Sequence, residues 1–258
     1  MIKNKKLNFF KKKLPYQLIH YRSLASTNSF ALENIDEFCD RDVVSAETQS
    51  SGRGRLNRQW LSTPPGNIYQ SIVLKPLLKA FQNSPLTNLT QYAAVSLCRT
   101  LKKYKVNAHI KWPNDVLVNG RKIAGILSET AFTGQELKGI VIGTGISLNF
   151  TAEIISQIDQ PAAALNLILN KDINKEHFQH LFLSYFFKYY TIFIKKGFPY
   201  IRQHYIRHCN FLNREITINN AGCILTGKAV NINNDGTLKV IKNNQEHNIN
   251  IGDISWKD

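Results

Sequence analysis

Gln49-Ser50-Ser51-Gly52-Arg53-Gly54-Arg55-Leu56-Asn57-Arg58-Gln59-Trp60 is the densest unusual segment of this 258-residue chain. Arg53, Arg55 and Arg58 fall within six residues, interleaved with Gly52 and Gly54. Glycines let a backbone approach a ligand closely. Guanidinium forks match phosphate and carboxylate oxygens and keep their charge at any working pH. Trp60 adds a flat apolar face. The segment reads as an anion-binding loop, and the bland alternative is a solvated basic loop.

The flanks read as strands. Val43–Glu47 leads into the loop, and Asn67–Leu74, rich in β-branched and aromatic residues, leads out of it. Upstream, Tyr16–Tyr21 reads as a strand, and Ser26 or Thr27 caps a helix from Ser29 to about Phe38. Downstream, Leu86–Tyr104 has helical spacing, with Leu89, Ala93, Leu97 and Leu101 on one stripe. His109–Trp112, Val116–Val118, Lys122–Glu129 and Ile140–Ile146 read as strands, and Asn119-Gly120 is a two-residue hairpin signal. A long helix over Asn174–Lys196 places Phe178, Phe182, Tyr185, Tyr189 and Phe193 on one side, which reads as core, and Gly197 and Pro199 stop it. From Arg214 closely spaced strands with Asn/Gly turns suggest a small barrel. The expected division is a basic tail over residues 1–14, a main domain over 15–210 and a small domain over 211–258.

In the second informative segment, Lys111 stands near a strand end before the rigid Trp112-Pro113-Asn114-Asp115 turn. A lysine there either faces inward towards an anion or sits on the surface. Gly143-Thr144-Gly145 lacks the third glycine and the acidic residue of a dinucleotide fingerprint, and P-loop, GxSxG and HExxH patterns are absent from the sequence. Cys39, Cys98, Cys209 and Cys223 are far apart without CxxC spacing, which argues against a zinc site or disulfide framework and points to a reducing, cytoplasmic setting. Net charge is +15, with lysines clustered at Lys3, Lys5, Lys6 and Lys11–Lys13; a solvated tail is the expected reading of that cluster. The most apolar stretch, Phe178–Ile194, is interrupted by Gln179, His180, Ser184 and Lys188, so no membrane span is expected.

With these segments in order, the chain resembles the biotin–protein ligases. The resemblance is carried by Ser26-Thr27-Asn28, Glu47-Thr48-Gln49-Ser50-Ser51-Gly52-Arg53-Gly54-Arg55, Arg58-Gln59-Trp60 and Lys111-Trp112-Pro113-Asn114-Asp115. It continues through Arg121-Lys122-Ile123-Ala124-Gly125-Ile126-Leu127, Ile142-Gly143-Thr144-Gly145-Ile146 and Gly252-Asp253-Ile254-Ser255. It implies an α+β fold: a central mixed-sheet catalytic domain like that of class II aminoacyl-tRNA synthetases, with a small C-terminal SH3-like β-barrel. It implies formation of biotinyl-5′-AMP from biotin and ATP, Mg²⁺ accompanying the ATP, and transfer to a lysine of the biotin carboxyl carrier protein of acetyl-CoA carboxylase. Carried over by position, Ser26, Thr27, Asn28, Gln49, Arg53, Gly54, Arg55 and Lys111 are the implied biotin site. Gly52, Arg53, Arg55, Arg58, Trp60 and Asn114 are the implied ATP and adenylate site, with Lys111 and Arg55 as catalytic residues and no protein-held metal.

Three departures from the family pattern stand out. Asn57 occupies a position usually held by glycine; Ser147 stands where asparagine is usual, with Asn149 two residues on; and only about fourteen residues precede the catalytic region, which leads us to expect no operator-DNA binding. The competing expectations are a lipoate–protein ligase and, from another class, a nucleic-acid-binding module suggested by the charge. A homodimer is compatible with the sequence.

Overall fold

The computed structural model describes residues 5–6, 14–75, 88–220 and 222–256. In chain order its strands are β1 (Lys5–Lys6), β2 (Gln17–Leu24), β3 (Asp42–Gln49), β4 (Ile68–Leu74), β5 (His109–Lys111), β6 (Asp115–Val118), β7 (Arg121–Thr133), β8 (Glu136–Ile146), β9 (Glu215–Asn220), β10 (Cys223–Ile232), β11 (Leu238–Lys242), β12 (Gln245–Ile249) and β13 (Asp253–Ser255). Its helices are α1 (Thr27–Glu33), α2 (Asn88–Lys103), α3 (Ala152–Ser156), α4 (Leu165–Leu169), α5 (Lys175–Lys196) and α6 (Pro199–Arg207). The chain forms two compact units, 1–78 with 121–180 and 79–120 with 181–258, and the division falls inside α5.

In the first unit six strands hydrogen-bond in the order β1-β2-β3-β4-β8-β7. The β2–β3 pair is parallel and the other pairs are antiparallel, so the sheet is mixed. Every residue of β4 is buried, as expected of an inner strand covered on both faces. Cross-strand register puts Ser71, Gly143 and Leu127 in one row, and Tyr69, Gly145 and Gly125 in the next row of the same face. Against this face α1 and the turn that follows pack Ala31, Ile35 and Phe38 on Val44, Val73 and Val141. On the opposite face Gln179 of α5 donates to Gln70 Oε1 at 2.7 Å.

In the second unit α2 packs against α6, and Tyr92 meets Phe186, Tyr190 and Phe193 in a ring cluster. The C-terminal strands form one antiparallel sheet in the order β12-β11-β10-β9-β13. The turn before β11 is fastened by Asn88 Nδ2 donating to the Asp235 carbonyl, and by Gln91 Nε2 and Trp112 Nε1 both donating to the Gly236 carbonyl.

Several expectations change. The first helix is shorter than expected: Ser26 caps it, Asn34 ends it, and a 3₁₀ turn covers Ile35–Glu37. Pro199 does not only stop α5; it occupies the first turn of α6, where its missing N–H has no bond to make. The buried aromatic positions on α5 are Phe178, Phe182, Phe186, Phe187, Tyr190 and Phe193, so Tyr185 and Tyr189 lie off the core stripe. No pairing between β12 and β13 closes the C-terminal sheet into a barrel among the described residues. The basic tail falls mostly outside the described residues, and Lys5–Lys6 pair with Ile19 and His20 of β2. Residues 76–87, including the expected start of the second helix at Leu86, also lie outside them.

Candidate functional site

The expected residues Ser26, Thr27, Asn28 and Gln49 come together at the start of α1 and the end of β3, all at most 9% exposed. Thr27 donates twice to Gln49 Oε1, from its backbone N at 2.8 Å and from Oγ1 at 3.1 Å. That fixes the amide of Gln49, whose Nε2 donates to Ser62 Oγ at 2.8 Å, and Ser62 in turn donates to the Trp60 carbonyl at 2.9 Å. Ser71 Oγ lies 2.8 Å from Thr27 Oγ1 and 2.5 Å from Asn28 Oδ1, and its single proton serves one acceptor at a time. Asn28 Nδ2 donates to Glu129 Oε2 at 2.8 Å. A connected network of this kind holds each side chain in one orientation, because a broken link would leave a buried polar atom unpaired.

The arginine–glycine loop is folded on itself. Trp60 N donates to the Gly52 carbonyl at 2.9 Å, Gly54 N to Arg58 at 2.7 Å, and Arg53 bridges to Gln59. Gly52 is required by space: a Cβ there would meet Ser62 Oγ at 2.4 Å and the Trp60 carbonyl oxygen at 2.5 Å. The left-handed backbone of the loop falls on Leu56, at φ 53°, one residue before the position where the sequence raised the question of glycine. Arg53 Nη2 pairs with both oxygens of Glu129, at 3.0 and 2.7 Å, so one carboxylate holds the loop and Asn28 together. Sequence reasoning gave Glu129 no role.

The glycines at 143 and 145 also find their reason. A Cβ at Gly143 would lie 2.3 Å from Asn28 Oδ1, and one at Gly145 would lie 2.3 Å from the Trp60 indole. Alternate glycines on one face of β8 thus seat these two side chains directly on the sheet. Lys122 Nζ sits over the Trp60 ring, 5.3 Å from its centroid, within cation–π range.

Beside this assembly opens a cavity of about 440 Å³. One part of its wall is Gln49–Gly52 and Gln59–Thr63; the rest is Lys122, Ser147, Phe150, the 157–160 segment and Ala162. Of the expected residues, Gln49, Gly52 and Trp60 line it; Thr27 backs it through Gln49; and Arg53, Arg55 and Arg58 belong to the loop whose two ends form the wall. Ser147 lines the cavity, whereas Asn149 does not: its amide bonds the Gly66 carbonyl and both backbone groups of Ile173, each at 2.9 Å. Ser62, Lys122, Phe150 and the 157–162 segment were missed as wall residues. Only Lys122 carried a sequence signal, as part of the Arg121–Leu127 motif.

Lys111 and Asn114 belong to the second unit. Lys111 is the last residue of β5, paired with Asp115 across the β5–β6 hairpin, and is part-exposed; Asn114 is buried. Trp112 anchors this corner through Gly236, and His208 accepts a 2.8 Å backbone bond from Ile110. Burial lowers the pKa of His208, whose ring bonds the Ala108 carbonyl. In the first unit burial likewise lowers that of His20, which bonds Ser45 and Glu47 on the sheet face away from the cavity. Tyr69 is raised by burial and stays a neutral donor to the Pro64 carbonyl.

The arrangement offers a cavity for a partly apolar ligand, with a fixed amide, several hydroxyls and a lysine on its wall and an arginine-rich loop at its border. Comparison with known proteins agrees. Residues 21–147 match the biotin/lipoate A/B protein ligase family. The bifunctional ligase/repressor BirA of Bacillus subtilis is 28% identical over 241 residues, covering 92% of this chain and 73% of that protein. The biotin--[acetyl-CoA-carboxylase] ligase of Paracoccus denitrificans is 39% identical over 127 residues, 48% of this chain and 51% of that one. Among solved structures, the biotin protein ligase from Aquifex aeolicus in complex with biotin and ATP superposes with a TM-score of 0.82 at 26% identity, covering 94% of this chain and 98% of that one. Through its mixed sheet, its Gln49–Trp60 loop and the match over residues 21–147, the chain is similar to the biotin/lipoate A/B protein ligase family.

Proposed function

We propose that the chain joins biotin to ATP, giving biotinyl-5′-AMP and pyrophosphate, and then transfers the biotinyl group to a lysine of a biotin carboxyl carrier protein. The observation that carries the reading is the Gln49–Trp60 loop, closed on itself and forming one wall of a 440 Å³ cavity. In the first step a biotin carboxylate oxygen attacks the α-phosphorus and the bond to pyrophosphate breaks. Two anions must meet, so fixed cations are needed to offset their repulsion and the charge building at phosphorus. Arg53, Arg55 and Arg58 supply that charge from the loop, and Lys111 supplies it at the reacting oxygens. Ser26, Thr27, Asn28, Gln49 and Gly54 hold biotin; Gly52, Trp60 and Asn114 serve the nucleotide.

In the second step the acceptor amine attacks the acyl carbon, an amide forms, and AMP leaves with the electron pair of the broken anhydride bond while the amine loses its proton. Water would destroy the anhydride, so the closed loop also protects it. In this reading Mg²⁺ enters as the companion of the ATP phosphates. The reading includes a cytoplasmic location. It also assigns catalysis to residues 15–210 and a small SH3-like domain to 211–258.

The test is incubation with ATP and a carrier domain, with biotin or lipoate as the acid. The reading requires acceptor labelling by biotin. Labelling by lipoate alone would transfer the chain to the other branch of its family.

A further inference from the structure

We propose that Ser71, on the inner strand β4, is a positioning residue for the biotin end of the site: its hydroxyl ties Thr27 to Asn28 and holds both side chains in the orientation that receives the ligand. The inference rests on the function proposed above and adds to it a residue that does not line the cavity.

Strand β4 is buried along its whole length, and Ser71 is 0% exposed. A hydroxyl in such a place needs partners, since leaving one unpaired costs about 1–3 kcal/mol. The register sets Ser71 beside Gly143, whose bare backbone leaves Asn28 room to come down onto the sheet. There Ser71 Oγ reaches two adjacent residues of α1, Thr27 Oγ1 at 2.8 Å and Asn28 Oδ1 at 2.5 Å.

Proton counting fixes which way these bonds run. Asn28 Nδ2 faces the Leu127 carbonyl at 3.3 Å and Glu129 Oε2 at 2.8 Å, both acceptors, so the atom turned to Ser71 is Oδ1, which can only accept. Ser71 therefore gives its proton to Asn28. The one proton of Thr27 goes to Gln49 Oε1, at 3.1 Å, or to Ser71 itself. In both cases Thr27 keeps its proton inside the network and turns only lone pairs towards a ligand. Removing the Ser71 hydroxyl deprives Asn28 Oδ1 of its donor and breaks the link between the two side chains, without taking away any group assigned to touch biotin or ATP.

The test reads biotin against ATP. Steady-state pyrophosphate release is measured as a function of each substrate, with thermal unfolding alongside. Ser71→Ala is expected to raise the KM for biotin by about tenfold, the usual worth of a buried acceptor left without its donor. The KM for ATP should stay within about twofold of wild type, because Thr27 and Asn28 serve biotin in the proposed function. Thr27→Val and the double variant complete a cycle. If Ser71 acts through Thr27 and Asn28, the double variant should fall short of the product of the single effects on the biotin KM by about threefold or more. Should Ser71→Ala not fold, Ser71→Cys, a weak donor of similar size, carries the same expectation. A wild-type KM for biotin overturns the proposal. An equal rise in both KM values, or single effects that simply multiply, overturns it too, since either is what general loosening of the sheet would give. Wild-type protein that releases no pyrophosphate with biotin and ATP would instead overturn the functional reading itself.

Discussion

Replacing Gly52 by alanine is the sharpest probe of how the loop is held. Gly52 does not sit at positive φ, so alanine is allowed by the backbone and space is the obstacle. The added Cβ would stand 2.5 Å from the Trp60 carbonyl oxygen and 2.4 Å from Ser62 Oγ. The oxygen is backbone and cannot rotate away, so the two sides of the loop must part by about 0.9 Å to reach ordinary contact. That stretches the 2.9 Å bond from Trp60 N to the Gly52 carbonyl and dislodges Ser62 from Gln49. Overpacking of this kind costs about 1–3 kcal/mol, which for a chain of this size lowers Tm by about 2–4 °C per kcal/mol. A displacement near 1 Å in groups that position a ligand can lower kcat/KM by about 100-fold. Differential scanning calorimetry and adenylate formation measure the two effects. Gly54→Ala is the control, because its Cβ would meet nothing closer than 3.4 Å, and its Tm should match wild type. A Gly52→Ala protein with wild-type Tm and kcat/KM would refute the closed-loop account.

Glu129→Ala removes the carboxylate shared by Arg53 and Asn28; with both pair members partly exposed, stability should fall by no more than about 1 kcal/mol. The KM for biotin should rise about tenfold as Asn28 loses its acceptor, and an unchanged KM would count against the shared-carboxylate role. Asn149→Ala leaves the backbone groups of Ile173 unpaired and should cost about 2–3 kcal/mol in chemical denaturation, while the folded protein at 25 °C keeps its turnover. The pKa values of His20, His180, His204 and His208 are lowered by burial, so each ring takes up a proton less readily in the native state than in the unfolded chain, where the ordinary value of 6.5 returns. Unfolding is then favoured by proton uptake as pH falls below about 6.5, and Tm should decline from pH 7 to pH 5. Asp42, raised by burial, works in the opposite sense at lower pH. A Tm constant across that range would contradict the burial of these rings.

Much of the fold could be read locally. β-branched runs gave β3, β4 and β8, and the Asn119-Gly120 signal is realised by positive φ at both residues. The helical spacing of Leu89, Ala93, Leu97 and Leu101 became one fully buried stripe. What stayed hidden depends on partners distant in sequence. Gly143 and Gly145 fail as a nucleotide fingerprint because they are seats for Asn28 and Trp60, more than eighty residues upstream. Arg53 reads as a ligand contact in isolation, yet its carboxylate partner arrives on β7. The question raised by Asn57 moves to Leu56, because the loop's 3₁₀ turn sets the left-handed residue one place earlier. Pro199 looked like a stop because a proline that ends one helix and a proline that opens the next are the same residue in sequence.

The most direct test of the account is a rapid-quench reaction of the purified chain with biotin and ATP, without acceptor, followed by mass spectrometry of the bound products. The account predicts biotinyl-5′-AMP retained on the protein and one pyrophosphate released per adenylate. Pyrophosphate without a biotinyl adenylate, or no reaction with biotin at all, would contradict it.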